Sequence, residues 1–342
     1  MKKLIAAAVA TSVSAIAMAD VSITGNANYE YFHKEDSGYN TNYADMEINL
    51  SVQGKSGDTG VVANFEIDNH GDANTALDIE DTYLTTKIGD INVKAGNFAS
   101  GTTALGGEID QGGRATNKVD LSTNIGGAKV GYFVSSVSST DEGYGTDSAG
   151  VYASIPVAGM TLGIKDNTDS YTITGLKGAI SGVNFRVENK DNDAANSDAL
   201  FYQVGTKIGD LSVSYEAIDS DAAGTAATSD VVTEGDSAIF AQEMATDADS
   251  KGKLGVDGVS QFTVATSIDG TALKLRVGEL RGGKVSGTQY KDAGFSRIEA
   301  SRQLASGAKL TVSYDDYEDT GVTSSGTMSD TQLLEVDLSV KF

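Results

Sequence analysis

The sequence predicts an all-β fold, a transmembrane antiparallel β-barrel of 16–18 strands, and three observations predict it. The last twelve residues, 331–342, place Leu334, Val336, Leu338, Val340 and Phe342 at strict two-residue spacing, with Glu335, Asp337, Ser339 and Lys341 between them. An extended strand sends alternate side chains to opposite sides, so this segment has one apolar face and one charged face. Forty glycines accompany a single proline, a balance that suits long hydrogen-bonded strands joined by tight turns. Short glycine turns also alternate along the chain with longer polar connections, the hallmark of a barrel standing in a membrane.

In chain order, residues 1–19 come first. Lys2 and Lys3 precede an apolar run from Leu4 to Ala17, and Ala17-Met18-Ala19 offers small residues for cleavage. This is the layout of a secretory signal peptide, leaving 20–342 as a single barrel domain of 323 residues. The run is too short and too rich in alanine and serine for a membrane anchor.

The first strand is expected over 21–32, with Val21, Ile23, Ala27, Tyr29 and Tyr31 on one side. The second, 44–54, sets Ala44, Met46, Ile48, Leu50 and Val52 against Asp45, Glu47, Asn49, Ser51 and Gln53. The third, 61–68, repeats the pattern with Val61, Ala63, Phe65 and Ile67. Tight turns are expected at 56–58, 88–90, 125–127, 158–159, 180–182, 208–210, 269–270 and 305–307, where glycine supplies positive φ. Longer connections are expected around 33–43, 69–76, 99–117, 138–147, 191–198, 220–258, 281–293 and 318–330, with a short one between 167 and 170. These segments sum to about eighteen strands, or sixteen if 160–178 is not two strands. The 220–258 connection carries a small apolar cluster, Ile239, Phe240 and Met244, that fits a short loop helix.

Composition excludes several functions. With no cysteine there is neither a disulfide nor a thiolate metal site. A net charge of −23, or −25 for 20–342, opposes nucleic-acid binding. Catalysis is not written in the chain: His33 and His70 lie in expected loops without a Ser partner at informative spacing. Gly54-Lys55-Ser56 imitates the end of a phosphate-binding loop, but Asn49 replaces its first glycine. Asp247, Asp249 and Gly252 imitate the start of a calcium loop, yet Lys251 and Gly258 stand where ligands are required. No cofactor or metal is expected.

The chemistry should lie in the charges that alternate with the apolar residues. By parity Lys94, Lys165, Arg186, Lys207, Lys274, Arg276, Arg297 and Lys309 face inward, as do Asp45, Glu47, Glu66, Asp120, Glu188, Glu216, Glu299 and Asp315. Turning one of the basic residues toward lipid at the midplane would cost about 2–4 kcal/mol. A one-residue slip would turn a whole strand's set at once, so parity is strongly specified.

The leader, the 91–98 strand INVKAGNF entering a glycine-rich loop, the terminal aromatic and the repeated hairpins together resemble the general porins of Gram-negative outer membranes. The resemblance implies a 16-stranded barrel, a homotrimer in outer-membrane lipid, and a third long loop folded inward to narrow a water-filled channel. It implies passive diffusion of small hydrophilic solutes and ions, and recognition of Phe342 by the barrel-assembly machinery. The third loop would be 99–117, carrying Glu108, Asp110 and Arg114. It lacks the Pro-Glu-Phe-Gly-Gly-Asp string of enterobacterial members, and Leu105-Gly106-Gly107-Glu108 echoes that string only loosely. The expected constriction sets Glu108 and Asp110 against a basic wall of Lys94, Arg276 and Arg297, with Lys274, Asp45 and Glu47 nearby, so that a transverse field crosses the pore. The acidic excess leads to an expected slight cation preference. Two other functions fit the same barrel. One is a sugar-type specific channel using Phe32, Phe98, Phe133 and Phe201, and the other is an adhesive surface barrel built on the 220–258 loop.

Overall fold

The computed structural model describes residues 20–36, 39–69, 76–98, 115–136, 147–168, 170–193, 198–220, 256–282, 284–285, 288–289, 292–317 and 331–342. The expected leader, the 220–258 loop up to residue 255 with its apolar cluster and calcium-like segment, His70, and residues 99–114 with Glu108, Asp110 and Arg114 all lie outside the described residues.

The strands run β1 (Asp20–Asp36), β2 (Tyr39–Ser56), β3 (Thr59–Asn69), β4 (Ala76–Ile88), β5 (Ile91–Phe98) and β6 (Ala115–Ile125). They continue β7 (Ala128–Ser136), β8 (Asp147–Val157), β9 (Met160–Asn167), β10 (Tyr171–Ile180), β11 (Val183–Asn192) and β12 (Ala199–Ile208). Then come β13 (Leu211–Ser220), β14 (Val256–Ile268), β15 (Thr271–Gly282), β18 (Ala293–Gln303), β19 (Lys309–Tyr317) and β20 (Thr331–Lys341). A two-stranded ribbon, β16 (Lys284–Val285) and β17 (Thr288–Gln289), sits in the connection between β15 and β18.

The other 18 strands form one antiparallel sheet in which each pairs with its sequence neighbour. β1 closes the sheet on β20, with Asn26 opposite Lys341 and Glu35 opposite Gln332. The closing rung is Gly25 with Phe342, whose backbone groups exchange hydrogen bonds of 2.9 and 3.0 Å. Closure leaves no lateral edge unpaired, which is the condition for a sheet in hydrocarbon.

The barrel has 18 strands, and the 16 implied by the porin resemblance are overturned. The deciding stretch is 160–178, which forms β9 and β10 as separate strands paired from Tyr171–Asn167 to Lys177–Thr161. Ser170 N–H donates to the Asn167 carbonyl at 3.0 Å, so the chain reverses in a single tight turn that a polar-loop criterion passes over.

The turn chemistry follows the glycines. At Ala158-Gly159, Ser181-Gly182 and Asp269-Gly270 both central residues have positive φ, the type I′ pattern that matches strand twist. At Gly57, Gly89 and Gly209 a glycine alone takes φ near 60° ahead of an aspartate, as a type II′ turn requires. The glycine turns gather at one end of the barrel, the turn end, and the other connections, including the tight β9–β10 reversal, at the opposite end, the loop end.

Two expected connections are shorter than their polarity implies. The 33–43 segment is mostly ladder, since β1 and β2 pair as far as Asp36 with Tyr39. The apolar–polar alternation of the sequence ends there while the backbone ladder continues. Similarly β15 runs on to Gly282 beyond the expected boundary at 281.

The outer face is apolar and uncovered. Ile23, Ile79, Ile125 and Ile298 are all about three-fifths exposed, with Leu275, Val277, Val204 and Tyr314 beside them. In a soluble sandwich such residues would be buried against a second layer, whereas a membrane barrel presents them to lipid. Buried polar side chains point inward instead, including Lys118, Lys165, Glu216, Gln261 and Asp315.

Candidate functional site: the lumen wall

Strand parity sorts the expected inward charges around the wall. Arg276 and Arg297 are direct cross-strand partners on β15 and β18, and Lys274 stands opposite Glu299. Carboxylates hold them in place. Arg297 reaches Asp315 at 3.4 Å and Glu335 at 3.1 Å, while Glu299 lies 3.8 Å from Lys274, Arg276 and Arg297 alike. This arc is a self-neutralised network, and Asp315 is fully buried within it.

Lys94 does not join that group. It lies on β5, eight strands from Arg276 and seven from Arg297 around the ring, close to the far side of the lumen. The expected single basic wall of Lys94, Arg276 and Arg297 is therefore two separate arcs. Parity decides which face a residue occupies; strand order decides where around the ring it stands.

The arc containing Lys94 has a construction of its own. Its ammonium sits 3.8 Å from the Tyr83 ring centroid and 4.1 Å from that of Phe98. Lys118 lies 5.1 Å from Phe98 and 5.2 Å from Phe133. Lys165 lies 5.4 Å from Phe133 and 5.2 Å from Tyr171, whose hydroxyl is also 3.0 Å from its Nζ. Lys190 completes the series at 4.7 Å from Tyr171. Rings and ammonium groups thus alternate without a break from β4 to β11. Each contact is worth about 0.5–2 kcal/mol, rising with desolvation.

Glycines let the rings lie flat. Gly131 stands opposite Tyr152 across β7 and β8, and a Cβ built on it would fall 2.2 Å from Tyr152 Cζ. Phe133 faces Gly150 in the same way, and Phe295 faces Gly278. Aromatic side chains covering cross-strand glycines both stiffen the sheet and leave the lumen clear. Tyr152 is further fixed by donating to Asp120 at 2.9 Å.

The third arc is acidic. Glu30 on β1 stands opposite Asp45 on β2 and opposite Asp337 on β20, with Glu47 and Glu335 on the same face. Asn49 donates to Glu47. This seam lies nine strands from β10 in both directions, so acidic and ring-supported basic surfaces face each other across the lumen. Among the described residues no group of three or more histidines and carboxylates is arranged to hold a metal ion.

The remaining expected residues are placed as follows. Phe98, Phe133 and Phe201 are inward and buried, with Arg186 5.2 Å from the Phe201 ring. Phe32 faces Glu335 across the seam. Arg186 is bound to Glu188 at 2.6 Å, and Glu216 accepts from Gln203 at 2.6 Å and Gln261 at 3.0 Å. Lys207 is exposed beside the turn at Gly209. Phe342 is exposed on the outer face, its ring within 3.0 Å of where a Gly25 Cβ would stand. Sequence reading missed Lys118 and Lys190, although each follows by parity from a neighbour two residues away, Asp120 and Glu188. It also missed Tyr83, Tyr152 and Tyr171.

No known protein family and no curated protein matches the sequence. Solved structures do share the fold. Pseudomonas aeruginosa OccK11 (OpdR) superposes with a TM-score of 0.64 at 11% identity, covering 94% of this chain and 96% of that one. The outer membrane protein opdK of Pseudomonas aeruginosa gives 0.62 at 11% identity over 95% and 100%. Pseudomonas aeruginosa OccK2 (OpdF), solved in complex with glucuronate, gives 0.61 at 12% identity over 94% and 98%. The fold of this chain is the one these solved structures share.

Proposed function

We propose that the protein is an outer-membrane channel that selects small hydrophilic solutes bearing a carboxylate. The alternating belt of Tyr83, Lys94, Phe98, Lys118, Phe133, Lys165, Tyr171 and Lys190 carries this reading. A carboxylate gains from the half-buried Lys94 ammonium, with the buried lysines behind the rings, while the pyranose or alkyl body of the solute passes the half-buried faces of Tyr83 and Tyr171. The glucuronate complex of OccK2 supports a sugar acid as the first solute to test. Lipid on the apolar outer face and a Gram-negative outer membrane as location follow from the same reading. A homotrimer and delivery through the barrel-assembly machinery by way of Phe342 belong to the proposal on the porin resemblance.

The test is conductance in planar bilayers. Glucuronate should block the current in a saturable way, and Lys94→Gln, which removes a belt ammonium that is only half-buried, should weaken that block by about tenfold, the loss of one charge-assisted contact. A current that glucuronate leaves untouched would return the protein to unselective passive diffusion, and no current at all would sink both channel readings.

A further inference from the structure

At the turn end of the lumen wall, between β1 and β8, lies a cavity of about 800 Å³ that the belt does not account for. Its lining includes four lysines, Lys55, Lys87, Lys94 and Lys129, and two carboxylates, Asp58 and Asp120. Two positive charges are therefore in excess. None of the four lysines enters an ion pair among the described residues, in contrast to the arginines of β15 and β18. Asp120 is partly occupied by the Tyr152 hydroxyl, and Lys129 stands 5.4 Å from the Tyr152 ring. Lys94 contributes to both the belt and the cavity, which places the cavity next along the wall for a solute leaving the belt.

We infer that this cavity is a second anion subsite, at the turn-end mouth, and that it takes small doubly charged oxyanions in preference to singly charged ones. The inference rests on the channel reading only for its place along the solute path. The excess of two positive charges matches a dianion, and the volume lies within the range of small-molecule sites. Four flexible lysines around an open wall set charge more than shape, so the shared chemistry is two negative charges on oxygen, whether as a phosphate or as a dicarboxylate. The subsite would make the exit of a multiply charged solute slower than that of a monocarboxylate of equal size.

The experiment is equilibrium binding to the full detergent-solubilised barrel at low ionic strength, using inorganic phosphate, succinate and acetate as separate probes, above the second ionisation of the first two. At least one of the dianions should bind about tenfold more tightly than acetate, and which one does identifies the source chemistry. The double variant Lys55→Gln/Lys129→Gln should lose that preference, while block of the current by glucuronate changes less than about twofold, since neither lysine is in the belt. Equal binding of all three probes, or a dianion preference that survives the double variant, would overturn the inference. Binding needs no conductance, so a barrel that binds succinate but passes no current would refute the channel reading and leave the subsite standing.

Discussion

Gly131 illustrates how much a single side chain, here a missing one, decides inside the barrel. The Tyr152 ring occupies the space its Cβ would take, and the ring's hydroxyl is anchored on Asp120. Gly131→Ala must push the ring off the wall toward the lumen, since all three of the nearest atoms belong to that ring. We expect the variant to fold with a loss of about 1–3 kcal/mol, the usual cost of overpacking, and to show a lower single-channel conductance. An unchanged conductance would mean that Tyr152 does not border the water-filled path. Gly278 and Phe295 repeat the arrangement across β15 and β18, but there the glycine also abuts the Ser260 carbonyl, so substitution would strain the backbone as well.

At the scale of the strand, period-two alternation carries the fold. Ile298 on β18 is the clearest example: it points to lipid between Arg297 and Glu299, both held inside. Ile298→Arg should cost about 2–4 kcal/mol if it lies near the midplane, measured by urea unfolding in lipid vesicles, whereas a lumenal change such as Gln303→Arg should cost far less. A negligible loss for Ile298→Arg would contradict the membrane placement of the β18 outer face. Alternation and glycine turns were readable from the sequence because both are local: a strand's two faces and a turn's positive φ depend on consecutive residues. Strand ends at the loop end were not readable, since His33 and Asn42 sit in a ladder whose sequence carries no apolar alternation. The β9–β10 reversal was weak in sequence for a related reason, having neither a glycine nor a long polar loop to mark it. The belt was hidden more deeply. Lys165 meets Phe133 across 32 positions of sequence, and only the ring order of strands brings them together. The same limit applies to Lys94, Arg276 and Arg297, which parity places on one face and strand order separates.

For the whole molecule, the net charge of −23 does not describe the path a solute sees. The lumen separates its charge by azimuth, with carboxylates at the β20–β1–β2 seam, ring-supported lysines from β4 to β11, and a neutralised network that runs from β15 to Glu335 on β20. In the proposed channel, small cations would therefore have a favourable track along one side and anionic solutes along the other. Neutralising the seam by Glu30→Gln, Asp45→Asn and Asp337→Asn should shift the reversal potential in a salt gradient toward anion preference. A shift toward cations would show that the seam does not steer permeant ions. The ring belt has one further consequence, an optical one. The chain contains 14 tyrosines and no tryptophan, so its near-ultraviolet emission comes from phenol rings with no indole to drain it. Tyr83 and Tyr171 stand beside lumenal ammonium groups and Tyr152 is bonded to Asp120, while Tyr29, Tyr132, Tyr215 and Tyr314 look outward into lipid. The wild-type barrel thus carries its own reporters on the wall a solute would touch, in an emission spectrum that a water-borne quencher and a lipid-borne one would divide between them.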